Sequence, residues 1–374
     1  MPIDVNWLSL THEEPLDPGR ELIDPHHHLW QFPGDSYLAG DFAADCAALQ
    51  VKSSVFVECG TCYDPAADGL AAVGETRFVE TQAQCQNADH PTPRAIAAGI
   101  VGFADLQAGE HAAAVLDAHL AASPARFRGI RHSCTWHASD RIRNSHSDPP
   151  PRLYLREDFR AGFAQLAPRG LLFDAWCYHT QLPELASLAS AFANTTIVLD
   201  HVGGPLGIGP YANKRAEVFE QWRKDMTTLA RCPNVYVKLG GLGMAINGFG
   251  WHRQDRPPGS TELADAWGPY FLHCIKAFGA ERCLFESNFA GDEGGAVFAS
   301  DTPVTVRNST FRANQGLQGG ALSVLRQAMV LQDVLFEDNR ARLDGGAIIH
   351  SGVGPAVITD CEFRENQGAR RGGA

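Results

Sequence analysis

The chain has 374 residues, of which 44 % are hydrophobic and 20 % are charged, and its formal net charge is -12. This composition supports a packed core, and the length allows one large domain or two smaller ones. The acidic balance argues against a nucleic-acid partner, because a phosphate backbone repels a negative surface. No apolar run approaches the roughly 20 residues that span a bilayer, and the N-terminus has no secretion signal. Scattered cysteines are typical of reduced thiols, so we expect a cytoplasmic protein without a membrane partner.

Apolar, strand-like runs recur along the first 292 residues. There are eight of them, at 22–23, 54–57, 97–101, 127–130, 171–173, 196–199, 235–237 and 283–285. Amphipathic segments of helical length lie between them, for example at 109–122, 185–193 and 216–230. Strands that alternate with helices predict an α/β fold with a parallel sheet, and eight repeats predict a (β/α)8 TIM-type barrel over residues 1–292. A doubly wound open sheet is the alternative, but the sequence has no GxGxxG after the first strand.

Polar side chains follow the predicted strands at their carboxyl ends, where TIM barrels carry their chemistry. The ones that we single out are His26, His28, Glu58, Arg131, His132, His179, His201, Lys238 and Asn288. His26 and His28 lie on the same face of an extended strand, because side chains alternate with a period of two. That geometry suits two ligands of one metal ion, or two donors to one substrate oxygen. We therefore predict a functional site at this rim of the barrel.

Five short segments resemble the amidohydrolase-2 branch of the amidohydrolase superfamily. They are IDPHHHLW at 23–30, FVEC at 56–59, GIRH at 129–132, LDHVG at 199–203 and FESNF at 285–289. The resemblance covers about residues 20–292. It is greatest to the sugar-acid lactonases, such as L-fuconolactone and L-rhamnonolactone hydrolases, and is more distant to 2-pyrone-4,6-dicarboxylate lactonase. It implies that the protein hydrolyses a small-molecule lactone, or a related ester or amide, with an activated water.

The same resemblance implies a set of histidine ligands. The strand-1 pair corresponds to His26 and His28, the strand-5 histidine to His179 and the strand-6 histidine to His201. If a divalent metal binds, such ligands with an open coordination position favour zinc or manganese over calcium. Some lactonases of this branch resemble metal-free enzymes, so catalysis without a metal stays open.

The strand-8 position departs from the commoner pattern of the family. Many relatives have an aspartate there as general base, whereas this chain has Asn288, which can neither accept a proton nor carry a charge. A subset of relatives has SNFPVD at this place, which makes Asp292 the alternative base. In the expected mechanism Asp292 or a metal-bound hydroxide activates water, while His26, His28 and His179 polarise the lactone carbonyl.

Five further side chains are expected to bind substrate or to support the site: Glu58, Arg131, His132, His201 and Lys238. Arg131 would hold a carboxylate or hydroxyl group of the substrate, with a structural salt bridge as the alternative. Lys238 would anchor the substrate, with an ion-paired lysine as the alternative. Glu58 is expected to orient a rim histidine.

The composition changes near Asp292, and the rest of the chain is repetitive. Gly-Gly-Ala begins at residues 294, 319, 345 and 372, in steps of 25, 26 and 27 residues, and FxxN recurs at 311–314, 336–339 and 363–366. Glycines at corners and short β-branched runs predict coils of a β-solenoid. The two motifs resemble the repeats of polymorphic outer-membrane proteins and other right-handed parallel β-helices. We predict a short β-helix fragment at 293–374.

The junction leaves more than one function open. The repeats begin where the eighth helix of a barrel belongs, so we expect a barrel that lacks this helix. The hydrolase is the function that we favour. The alternatives are a β-helix surface or adhesion-type binding protein with a non-functional barrel, and a chimaeric chain with no single function. The sequence does not determine the oligomeric state.

Overall fold

A computed structural model describes residues 7, 9–14, 16–32, 35–67, 69–89, 95–145, 147–288, 297–300, 304–312, 315–316, 322–325, 329–337, 339–341, 347–351 and 355–368. The chain divides into two compact units. The larger comprises Thr11–Gln31 and Tyr37–Ala290, and the smaller comprises Met1–Leu10, Phe32–Ser36 and Gly291–Ala374.

The larger unit is built around an eight-stranded parallel sheet. In pairing order the strands are β1 (Glu21–His27), β2 (Gln50–Val57), β3 (Ala95–Gly102), β4 (Phe127–Arg131), β5 (Leu172–Ala175), β6 (Ile197–Leu199), β7 (Val235–Leu239) and β8 (Cys283–Phe285). Each strand pairs with the next one in the sequence, which is the order of a TIM barrel and not that of a doubly wound sheet. Each of the eight predicted apolar runs overlaps one of these strands, so the predicted parallel barrel is confirmed.

One helix follows each of the first seven strands. The helices are α1 (Ala39–Asp45), α2 (Val73–Asp89), α3 (Ala112–Ala122), α4 (Glu157–Phe163), α5 (Leu182–Ala191), α6 (Arg215–Leu229) and α7 (Ser260–Phe278). Strand residues such as Ile130 and Phe173 and helix residues such as Leu185 and Trp222 are fully buried in one core. The strands are nearly continuous apolar runs because both of their faces are covered. No helix follows β8 in the described residues 286–288.

The barrel nearly closes between β1 and β8 through individual hydrogen bonds. The backbone N and the Oγ of Ser287 donate to Asp24 at 3.0 and 2.6 Å, and Asn288 N donates to the His26 carbonyl at 3.1 Å. Apolar side chains beside this seam stay in solvent, since Ile23 is 68 % and Phe285 is 66 % exposed. Hydrogen bonds to the Asp24 side chain therefore connect β1 and β8 at a place where the two strands form no regular backbone ladder.

The smaller unit contains parallel ladders whose strands are one sequence repeat apart. Its strands are β9 (Val297–Ser300), β10 (Val304–Arg312), β11 (Gln315–Gly316), β12 (Leu322–Leu325), β13 (Met329–Glu337), β14 (Arg340–Ala341), β15 (Ile348–Ser351), β16 (Ala356–Thr359), β17 (Glu362–Arg364) and β18 (Gln367–Gly368). They pair as β9-β12-β15, as β10-β13-β16 with β17 also on β13, and as β11-β14-β18.

The FxxN motif has a direct structural role in the last two repeats. Phe336 pairs in register with Phe363, and the two rings stack with centroids 5.0 Å apart. Asn339 is fully buried and its Nδ2 donates to Asn366 Oδ1 at 2.8 Å, while Asn366 Nδ2 donates to the Phe336 carbonyl at 3.0 Å. Stacked phenylalanines and bonded asparagines thus hold successive coils in register.

The described helices include none that combines the length and the apolar character needed to cross a membrane.

Replacing Asp24 with alanine should lower the free energy of unfolding by about 1–3 kcal/mol, because the amide and hydroxyl donors of Ser287 lose their acceptor at the seam. Urea unfolding followed by circular dichroism measures the loss. Glu110→Ala, at an exposed position, is the control and should change little. Equal stability of the two variants would contradict the role given to Asp24.

Candidate active site

A buried cluster of charged groups and imidazoles lies at or near the carboxyl ends of the barrel strands. Its members are His26, His28, Glu58, Arg131, Asp174, Asp200, His201, Lys238 and Glu286. The side chains of His26, Asp200 and Glu286 are completely buried. Such a concentration of charge out of water is costly unless the groups pair with one another. The cluster therefore demands a specific arrangement of partners.

The two histidines of strand β1 face each other through their Nε2 atoms, which are 3.3 Å apart. The Nδ1 of His28 lies 2.7 Å from the carbonyl oxygen of Val57, to which it donates. This bond leaves the Nε2 of His28 with a lone pair. Burial, together with the charges of His26 and Arg131, lowers the pKa of His28 well below its ordinary value, so the ring is neutral.

Glu286 joins two histidines from different strands. Its Oε1 accepts from His201 Nδ1 at 2.7 Å, and its Oε2 lies 2.9 Å from His26 Nδ1. Burial alone would raise the pKa of Glu286, but His201 and His26 outweigh it and lower the pKa to about 2. Glu286 is therefore ionised; it accepts a hydrogen bond from His201 and lies at ion-pair distance from His26.

Two glycines after strand β7 make room for this contact. A Cβ atom on Gly240 would lie 2.3 Å from Cγ of Glu286, and one on Gly241 would lie 2.5 Å from Cβ of His201. Gly241 also has a φ of +70°, which favours glycine. Neither position accepts a side chain without displacing Glu286 or His201.

Lys238 lies inside the barrel with three partners. Its Nζ is 2.6 Å from Asp174 Oδ2, 2.9 Å from Asp200 Oδ1 and 3.1 Å from His26 Nδ1. Burial alone would lower the pKa of Lys238, but the two aspartates reverse this and raise it above its ordinary value. Burial and the neighbouring Asp200 raise the pKa of Asp174 to about 6. Burial opposes the ionisation of Asp200, yet Lys238 and His26 hold its pKa well below the usual range.

His26 is subject to opposing influences. Burial and Lys238 lower its pKa, whereas Asp200 and Glu286 raise it, and the net result is a pKa above 6.5. The carboxylates therefore favour the protonated ring over the neutral one.

Arg131 links the cluster to Glu58. Its Nε donates to Glu58 Oε1 at 2.8 Å and its Nη2 donates to the Glu58 carbonyl. The remaining Nη1 lies 3.4 Å from His26 Nε2 and 3.5 Å from Asp200 Oδ2. Glu58 thus orients an arginine, and its expected role in orienting a rim histidine stays a prediction.

The geometry fits a single divalent metal ion. Two nitrogen ligands of a tetrahedral zinc ion, with bonds of about 2.05 Å, lie about 3.3 Å apart. This is the separation of the Nε2 atoms of His26 and His28. Both carboxylate oxygens of Asp200 are buried, and neither accepts a well-oriented hydrogen bond from the described residues. One potential ligand atom from each of His26, Asp200 and His201 lies within 4.8 Å of the other two. Metal-binding histidines usually donate their second N–H to a carbonyl or carboxylate, as His28 and His201 do here.

The structure places other predicted residues elsewhere. Leu206 N donates to Nδ1 of His179, whose ring packs edge-on against Tyr211 at 5.1 Å, and no hydrogen bond of His179 to the cluster occurs among the described residues. His132 lies between the rings of Phe103 and Phe159 and its Nδ1 accepts from Leu106 N. Asn288 contributes its backbone N–H to the His26 carbonyl, at a φ of 48°. Asp292 lies outside the described residues.

Three carboxylates of the cluster were not predicted as site residues: Asp174, Asp200 and Glu286. The sequence does contain signals for them. Asp174 is a lone acidic residue in the apolar run LLFDAW, Asp200 directly precedes His201, and Glu286 directly follows strand β8.

Comparison with known proteins agrees with this barrel. The sequence profile of the family described as Amidohydrolase matches residues 23–306, and the chain belongs to this family. It is 32 % identical over 294 residues to an uncharacterised protein of Sinorhizobium fredii, over 73 % of this chain and 86 % of that protein. It is 27 % identical over 339 residues to L-fucono-1,5-lactonase of Burkholderia ambifaria, over 88 % of this chain and 94 % of that enzyme.

Solved structures share the fold. A Burkholderia multivorans amidohydrolase with bound HEPES matches with a TM-score of 0.54 and 22 % identity, over 72 % of this chain and 85 % of that one. The same amidohydrolase with bound zinc matches with a TM-score of 0.53 and 23 % identity, over 72 % of this chain and 84 % of that one. The chain is therefore a TIM-barrel hydrolase of the amidohydrolase family.

Replacing Glu286 with glutamine should weaken zinc binding at this candidate site about 10- to 100-fold, because the neutral amide no longer carries the charge that pairs with both imidazoles. Competition with a chromophoric chelator measures the affinity of the metal-free protein. Glu281→Gln is the matched control, because Glu281 is exposed and lies two residues before strand β8 begins. Equal affinity of the Glu286→Gln variant and the wild type would contradict the proposed role of the carboxylate.

Proposed function

We propose that the protein hydrolyses the lactone of a sugar acid by attack of water on the ring carbonyl. The observation that carries the proposal is the buried cluster in which His26, His28 and His201 meet Asp200 and Glu286 beside two fixed cations. Likeness to a lactonase over most of both chains supports a lactone as the substrate.

Lys238 and Arg131 supply positive charge that needs no reorganisation during the reaction. Both are buried, and their pKa values, although lowered by burial, are raised above the ordinary values by the surrounding carboxylates. Charge that develops on the carbonyl oxygen is stabilised by such fixed cations in a site that excludes water. Arg131 and His28 are each 7 % exposed, so both can be reached from solvent.

Asp200 is the base that we assign to the attacking water. It is ionised, and its oxygens accept no well-oriented hydrogen bond from the described residues. A proton of the water passes to this carboxylate as the oxygen bonds to the carbonyl carbon. The ring C–O bond then breaks, and the leaving oxygen takes the same proton back from Asp200, which gives a hydroxy acid and restores the carboxylate. This assignment replaces Asn288, and it offers an alternative to Asp292.

A bound divalent ion would supply Lewis acidity and lower the pKa of a water molecule. His26, His28 and His201 would hold it, with Asp200 beside them, and zinc or manganese suits such ligands. Metal-free catalysis is the alternative, and the charges of Lys238 and Arg131 favour it.

The remaining proposals concern the rest of the chain. We place the barrel at 1–292 and a right-handed β-helix at 293–374, which the ladders of Phe336 and Asn339 support. We also propose a cytoplasmic location, in keeping with ten free cysteines. The one cluster of metal-ligating side chains among the described residues lies in the barrel and not in the repeat segment. The hydrolase is therefore the function that we favour over a binding role of the repeats.

Purified protein should hydrolyse at least one member of a panel of aldonolactones, assayed with and without added zinc or manganese. His26→Ala and Lys238→Met should each lower kcat/KM about a hundredfold or more, because each removes a member of the buried cluster. His111→Ala, at an exposed position, should retain activity. Folded, metal-supplied protein without turnover on any lactone would refute the proposal.

A further inference from the structure

Strands β16, β17 and β18 of the smaller unit form a coil at one end of its ladders, which we call the end coil. Strand β13 is paired on both sides, with β10 on one side and with β16 and β17 on the other. Strands β16 and β17 pair only with β13 in the described part of the chain. An edge of this kind presents backbone N–H and C=O groups that a further strand can bind. The end coil is therefore a candidate docking surface.

Equivalent side chains in two successive coils differ in their exposure. Ile358 of β16 is the register partner of Leu331 in β13. Leu331 is 0 % exposed, whereas Ile358 and its neighbour Val357 are each 50 % exposed. Phe336 is likewise fully buried, while its register partner Phe363 is only partly buried. Positions that the next coil covers in β13 thus face solvent in the end coil.

The asparagines of the repeat indicate how a further coil would attach. Asn339 N and Nδ2 both donate to Asn366 Oδ1, at 2.9 and 2.8 Å. In return, Asn366 Nδ2 donates to the Phe336 carbonyl at 3.0 Å. By the same pattern, an incoming asparagine would accept from the second Nδ2 hydrogen of Asn366 and donate to the Phe363 carbonyl. The end coil therefore presents a specific polar site beside its exposed aliphatic side chains.

Charge alternates along one column of the ladder. Arg312, Glu337 and Arg364 occupy equivalent positions in β10, β13 and β17. Glu362, which accepts from Arg364 Nε at 2.6 Å, and Glu337 both raise the pKa of the Arg364 guanidinium. Like charges at directly opposite positions of a sheet destabilise the pairing. A strand that continues this column should therefore have an acidic residue opposite Arg364.

We propose that the end coil binds an extended segment of another protein by strand addition. The segment has the pattern Phe-acidic-x-Asn, so that its phenylalanine stacks on Phe363, its acidic residue faces Arg364 and its asparagine bonds to Asn366. Backbone hydrogen bonds supply affinity, and these side chains supply specificity. A second copy of this chain is a poorer occupant, because its strand β10 would place Arg312 opposite Arg364. The binding role is additional to the proposed hydrolysis and does not depend on it.

A peptide taken from the chain itself tests the pattern. The probe is a fluorescent peptide of residues 328–341, in which Glu337 follows Phe336 and Asn339 completes the motif. Fluorescence anisotropy with the full chain should show binding. A Glu337→Arg peptide should bind about two- to fivefold more weakly, which is the range for one exposed charge pair. An Asn339→Ala peptide should bind about tenfold more weakly, because it lacks the hydrogen bonds to the end coil.

Variants of the protein separate the end coil from other apolar surfaces. Arg364→Glu should reverse the charge preference, so that the Glu337→Arg peptide binds more tightly than the unchanged peptide. Ile358→Lys should weaken both peptides about tenfold, because an aliphatic contact is lost. Leu272→Lys, which removes a similarly exposed apolar side chain from the barrel, is the control and should leave both affinities unchanged. Thermal unfolding checks that each variant is folded.

Three outcomes would overturn the proposal. The first is that the folded full chain binds no 328–341 peptide, or binds it at a surface that Leu272→Lys abolishes. The second is that wild type and Arg364→Glu both bind the peptide and its Glu337→Arg form equally well. The third is that a peptide of residues 303–316, the equivalent segment of a second copy, binds more tightly than the 328–341 peptide. That result would assign the end coil to association between copies of this chain.

Discussion

The carboxylate of Glu286 holds the two imidazoles on which the site depends. It follows the last strand of the barrel, yet its partners His26 and His201 belong to the first strand and to the end of the sixth. The same contact therefore orients two rings and ties β8 to the rest of the sheet, next to the Asp24 and Ser287 bonds at the seam. The glycines at 240 and 241 are required because any side chain there would occupy the space of this contact.

Charge pairing explains why so many ionisable groups remain buried together. Lys238 forms ion pairs with Asp174 and Asp200, and Arg131 forms one with Glu58, so both of these cations have a carboxylate within 3 Å. Removing one partner would leave an uncompensated charge, which costs far more than the pair contributes. In the proposed mechanism the same fixed charges stabilise the developing oxyanion. Lys238 and Arg131 are therefore proposed to act in catalysis as well as in holding the site together.

Much of the barrel could be predicted from the sequence, because each strand is a separate apolar run and strand ends carry the polar residues. His26, His28, Arg131, His201 and Lys238 were predicted in this way, and the structure places all five in the buried cluster. Pairing between strands cannot be obtained from runs alone, which is why the role of Glu286 was missed in favour of Asn288. His179 lies four residues beyond the end of β5, at the start of a 3-10 turn, and its ring packs against Tyr211.

The tautomers of His201 and His28 provide the most direct test of the account. Nitrogen-15 NMR of histidine-labelled protein, in the metal-free state, distinguishes a proton on Nδ1 from one on Nε2. The structure predicts Nδ1–H for both rings, held by Glu286 and by the Val57 carbonyl, and predicts that Glu286→Gln disturbs the signal of His201 more than that of His28. A proton on Nε2 of His201 in the wild type would contradict the arrangement described for the site.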